Sequence, residues 1–89
     1  MSELHRVALD SRENPKDRLS AIKHLATSRS VEARDVLIAI GERTTEPPEI
    51  LKAVGHSLAE IGHNGVALSE LDMSNLAEVA YEAFCEWSP

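Results

Sequence analysis

Positive charge runs out early in this chain: no lysine or arginine follows Lys52 in a sequence of 89 residues. Aromatics are scarce too, with Tyr81, Phe84 and Trp87 making up the whole complement. A β-sandwich or barrel leans on aromatic and β-branched strands, so that class is disfavoured. The single cysteine, Cys85, cannot close an intramolecular disulfide or build a thiolate zinc site, and it suits a reducing cytoplasm. No apolar run reaches the roughly 20 residues of a membrane-spanning helix, so no membrane span is expected. The opening stretch MSELHRVALDSR carries charge in every turn and does not read as a secretory leader. Gly41, Gly55, Gly62 and Gly65 fall at no phosphate-loop spacing.

What remains is an ordinary globular composition, 43% apolar and 27% charged. It predicts one domain over 1–89 with a small core. The net charge of −6 is unevenly spread. Residues 1–34 carry seven Lys/Arg against five Asp/Glu (+2), and residues 35–89 carry two against ten (−8). Such a surface repels phosphate backbones and attracts basic partners. The only candidates for a compensating basic patch are Arg6, Arg12, Lys16, Arg18, Lys23, Arg29 and Arg34, interspersed with acids. Nucleic-acid binding is therefore disfavoured.

The dominant period is helical. Leu19, Ile22, Leu25 and Ala26 form one apolar stripe; Ala33, Val36, Leu37 and Ile40 form a second. Ile50, Val54, Leu58 and Ile61 make a third, and Leu76, Val79, Ala80, Ala83 and Phe84 a fourth. Punctuation agrees. Asn14 precedes Pro15 as cap and first helical residue, Ser30 can cap the next helix, and Pro47-Pro48 opens another. His63-Asn64-Gly65 is turn chemistry, so that helix should stop at Gly62. Asn75 and Glu78 have capping-box spacing, which starts the last helix near Ser74. The expected helices are 2–12, 15–27, 31–43, 47–61 and 74–87, with a short one near 65–70.

These segments repeat. Ala21-Ile22-Lys23-His24-Leu25-Ala26 aligns with Ala53-Val54-Gly55-His56-Ser57-Leu58, and Val79-Ala80-Tyr81-Glu82-Ala83-Phe84 aligns with the latter. Leu58-Ala59-Glu60-Ile61-Gly62 followed by Gly65-Val66-Ala67-Leu68 resembles the short HEAT-like repeats of phycobilisome lyases and many bacterial proteins. Arg18-Leu19-Ser20-Ala21-Ile22 with Glu32-Ala33-Arg34-Asp35-Val36-Leu37 is a second match, and 63–72 departs from the pattern. The resemblance implies an all-α fold, a short right-handed α-solenoid of about three HEAT-like helix pairs. It also implies that 15–27, 47–61 and 74–87 line a concave surface, with Glu60, Glu78 and Glu82 at its acidic end and Lys16, Lys23 and His24 at the other.

No nucleophile–base arrangement can be assembled, and Cys85 lies within an acidic stretch with Glu82 and Glu86. His56, Glu60 and His63 share a helical face, but Gly62 is expected to unwind it before His63; no metal or other cofactor is expected. Glu78, Glu82 and Glu86 recur at i, i+4, i+8, where like charges repel by about 0.2–0.5 kcal/mol per pair. Such a stripe is either a solvated face or a docking surface for a cationic partner. Tyr81 and Trp87 beside it are either anchors for that partner or caps of the core, whereas Phe84 belongs to the core. The reading is a non-enzymatic, cytoplasmic protein-binding module using Glu60, Glu78, Tyr81, Glu82, Glu86 and Trp87. Its small acidic form looks like an immunity protein that neutralises a basic toxin domain. Alternatives are a phycobilisome-lyase-type subunit or chaperone and a nucleic-acid-binding HEAT-like domain. The small core is also compatible with self-association.

Overall fold

The computed structural model describes residues 3–28, 30–68 and 74–87. They form five α-helices and, among the described residues, no strand. These are α1 (Glu3–Leu9), α2 (Pro15–Ala26), α3 (Val31–Gly41), α4 (Pro48–His63) and α5 (Glu78–Glu86). No helix among these residues is long and apolar enough to cross a membrane.

Two starts follow the sequence signals. Asn14 Oδ1 accepts from the Lys16 amide at 2.9 Å, and Ser30 Oγ accepts from the Ala33 amide at 3.0 Å. Two other signals misled. The helix α4 passes Gly62 to His63 and closes in a Schellman turn. There Gly65 (φ 101°) donates to the Gly62 carbonyl, and Val66 donates to that of Ile61. The Asn75–Glu78 capping box does not form: α5 starts at Glu78 after Ala77, which makes no side-chain cap. Instead the Ala77 amide donates to the Gly41 carbonyl at 2.8 Å, so the end of α3 fixes the start of α5. The short helix expected near 65–70 is absent over 66–68, and its remainder lies outside the described residues.

The core draws on α1 to α4: Ala8, Ile22, Leu25, Leu37, Ile40, Val54, Leu58 and Ile61 are all buried. At the centre is α4, which touches α2, α3 and α5; α1 lies on α2 and α3. Gly55 and Ser57 point to nearly opposite sides of α4. On one side Ser57 Oγ donates to the Ile22 carbonyl of α2 at 3.4 Å. On the other, α5 comes within backbone distance. A Cβ on Gly55 would lie 2.8 Å from Ala83 Cβ and 2.9 Å from the Phe84 nitrogen, and closer still to the Ala80 carbonyl oxygen. Leu51 packs with Ala77 and Ala80, Gly55 faces Ala80 to Phe84, and His63 meets Trp87, so α4 and α5 run in the same direction.

The α1 helix is too short to hold itself in water. Arg18, only 2% exposed, reaches back from α2 to its last turn. Its Nε and Nη2 donate to the Ala8 carbonyl at 3.2 and 3.0 Å, and Nη1 donates to Glu46 Oε1 at 2.9 Å. Arg43 Nη1 donates to the Leu9 carbonyl at 2.7 Å and approaches the same Glu46 at 3.4 Å. Two guanidinium groups thereby satisfy carbonyls that a helix end leaves without partners. Among the described residues no buried side-chain nitrogen or oxygen lacks a partner.

Candidate functional site

The helices α2, α4 and α5 present a common face, indented between α2 and α4. This cleft, about 500 Å3, has a floor of Leu19, Ala53 and Ser57 and is bordered by Lys23, Glu49, Lys52, His56, Glu60 and Trp87. Such a volume lies within the range of small-molecule and side-chain pockets. A smaller depression, about 180 Å3, lies between α4 and α5 and is lined by Lys52, Val79, Glu82, Ala83 and Glu86. Lys52 borders both.

The sequence-predicted site residues divide between these features. Glu60 and Trp87 border the larger cleft, and Glu82 and Glu86 line the smaller one. Glu78 and Tyr81 are exposed on α5, Tyr81 at 47%, and line neither. The common groove expected for Glu60, Glu78 and Glu82 is thus two separate depressions, because α4 stands as a ridge between α2 and α5. Lys23 shares a cleft with Glu60 instead of occupying its far end. Phe84 packs against the core, as expected, while Trp87 is half-buried with its ring 5.5 Å from that of His63. Trp87 is held there by α4, since His63 still belongs to that helix. Among the described residues no three metal-binding side chains converge.

Electrostatically, the face is not a uniform negative wall. The exposed Glu78, Glu82 and Glu86 have no lysine or arginine nitrogen within 4 Å among the described residues. Yet Lys52 shares the depression of Glu82 and Glu86, so the stripe is acidic with one cation at its edge. The candidate basic patch fares worse. Arg18 is buried, Arg34 donates to the Ala67 carbonyl at 2.8 Å and pairs with Asp35, and Arg6 pairs with Glu3. Arg29 lies outside the described residues.

One charged cluster escaped the sequence reading. Glu46, 7% exposed, is clamped by Arg18 and Arg43. The hydrogen bonds from Arg18 hold its carboxyl below the usual carboxylate range against the opposing effect of burial, with the charge of Arg18 and then Arg43 adding to them. The signal was present: Arg18 lies in phase with Ala21, Ile22 and Leu25 on the apolar stripe of α2. This cluster ties α1, α2 and the α3–α4 connection together, away from both depressions. Set beside family models, curated proteins and solved structures, the chain gives no significant match.

Proposed function

We propose that the chain is a non-enzymatic protein-binding module that receives a basic partner protein on the face formed by α4 and α5. The observation that carries this reading is the solvated run of Glu78, Glu82 and Glu86 with no ion pair among the described residues, beside a cleft bordered by Glu60 and Trp87. The glutamates steer a cationic surface into contact, and Trp87 and the apolar floor of the cleft take up an anchor side chain. Tyr81 extends the contact on the outer side of α5. A basic toxin domain, which the acidic face would occlude as an immunity protein does, is the partner class we propose.

The architecture we propose for this role is a short stack of HEAT-like helix pairs. Supporting it, the repeat alignment equates Ile22, Val54 and Ala80, and all three are fully buried at the inner side of α2, α4 and α5. Small residues at Gly55, Ala80 and Ala83 suit the close stacking such repeats require.

The reading is tested by capture from the native cell on the immobilised chain, eluted with salt. A basic protein should bind the native chain and elute between roughly 0.2 and 0.5 M salt, where charge steering is screened. The triple variant Glu78→Gln/Glu82→Gln/Glu86→Gln should lose it. Equal capture by the native chain and the triple variant would refute the acidic face as the binding surface.

A further inference from the structure

The cleft between α2 and α4 holds two lysines and two glutamates that the fold leaves unpaired. Lys23 stands on the α2 wall, and Glu49, Lys52 and Glu60 stand on the α4 wall. None of the four makes an ion pair among the described residues, and their formal charges cancel. Along α4, Lys52 lies between the glutamates, about 4.5 Å from the level of Glu49 and about 12 Å from that of Glu60. Leu19 and Ala53 give the floor its apolar surface, and the half-buried Trp87 adds an indole to the border.

Each simpler ligand class leaves part of this border unsatisfied. An anion that meets Lys23 and Lys52 also meets two carboxylates, and a cation that meets Glu49 or Glu60 also meets two ammonium groups. A neutral apolar group covers the floor but draws four charges out of water without giving any of them a partner. A zwitterion answers both signs at once. Its carboxylate can lie between lysines that reach in from opposite walls, with its ammonium beside a flanking glutamate. An aromatic side chain on the same molecule would cover the apolar floor and pair with the ring of Trp87. We propose that this cleft is a binding site for a small amphipathic zwitterion of the aromatic amino-acid class, held by Lys23 and Lys52 at its carboxylate and by Glu49 or Glu60 at its ammonium.

Volume and exposure set the strength. At about 500 Å3 the cleft is large enough to take such a molecule whole. Lys23, Glu49 and Lys52 are exposed to water, so a ligand of about a dozen non-hydrogen atoms should bind weakly, with half-saturation at roughly 1 mM. Glu78, Glu82 and Glu86 take no part in it. A seated ligand does cover the floor that a partner's anchor side chain would use, so the two would compete.

The test is titration of the full chain with L-phenylalanine, read from the indole N–H resonance of Trp87, the chain's one tryptophan. The resonance should shift saturably, with a midpoint at roughly 1 mM. Three blocked forms separate the charges: N-acetyl-phenylalanine keeps only the carboxylate, phenylalanine amide only the ammonium, and N-acetyl-phenylalanine amide neither. Each should bind roughly tenfold or more weakly, since each leaves charged groups of the cleft without a partner. The variants Lys23→Gln/Lys52→Gln and Glu49→Gln/Glu60→Gln should weaken phenylalanine by a similar factor. All four positions are exposed or half-buried, and circular dichroism checks that both variants fold. An unmoved resonance, a blocked form that binds as tightly as phenylalanine, or a folded variant that binds it like the native chain overturns the proposal. Any of these results leaves the capture of a basic partner by Glu78, Glu82 and Glu86 to stand or fall by its own test.

Discussion

Arg18 and Glu46 show how a single ionic contact can organise so small a domain. Both are buried, and the guanidinium also caps α1 through the Ala8 carbonyl. Replacing Arg18 by Met leaves Glu46 buried with only the longer Arg43 contact. The expected loss at neutral pH is about 3–5 kcal/mol in urea unfolding. The double variant Arg18→Met/Glu46→Leu should recover most of it, because no uncompensated charge remains. A double variant as unstable as the single one would mean that the carbonyl cap, not the buried charge, dominates. The same carboxylate sets a pH dependence. Its folded pKa lies below the unfolded one, near 4.3. The stabilisation it contributes is therefore complete above the unfolded value. It shrinks as the pH falls below that value and vanishes below the folded pKa. The stability difference between the native chain and Glu46→Gln should narrow across that acid window and stay level from pH 5 to 7. A difference that widens on acidification would contradict the depressed pKa.

At the scale of the helices, the close approach of α4 and α5 is the feature most exposed to mutation. Alanine at position 55 would gain about 1 kcal/mol of helix propensity over glycine. Its methyl group, however, would meet backbone atoms of Ala80 and Phe84, which cannot rotate away. Overpacking of this kind costs about 1–3 kcal/mol, and displacement of α5 adds to it, so the steric effect wins. Gly55→Ala should lower the urea midpoint and speed amide exchange in α5 ahead of α2 and α3. A stabilised Gly55→Ala protein would show that the helices do not touch there. Ser30→Ala, which removes the cap of α3, should cost about 1 kcal/mol. Much of this level was legible in the sequence. The stripes gave four of the five helices and most of the core, and Asn14, Ser30 and Pro48 gave the starts of α2, α3 and α4, because capping and periodicity act within one turn. The start of α5 was not legible, since it is set by the Gly41 carbonyl, distant in sequence. The division of the acidic residues between two depressions was equally hidden, for it depends on which side of α4 each neighbour packs.

For the molecule as a whole, charge is sorted by position in the chain, and folding mixes that sorting at the cleft, where Lys23 and Lys52 stand with Glu49 and Glu60. Acidic residues without partners gather on α5, while Arg18 and Arg43 are engaged by Glu46 and by backbone carbonyls. The N-terminal basic residues are in part consumed internally, which is why their number in the sequence overstated a basic patch. Arg34 illustrates the point: it faces its neighbour Asp35 and the carbonyl of Ala67. The central claim is that the carboxylates of α5 steer a basic protein onto this face, and the rate of association measured against ionic strength tests it most directly. For the native chain, the rate constant with the captured partner should fall steeply as salt rises from about 20 to 500 mM. For Glu82→Lys it should be lower at low salt and depend less on salt. Identical rates and identical salt dependence for the two proteins would contradict the claim.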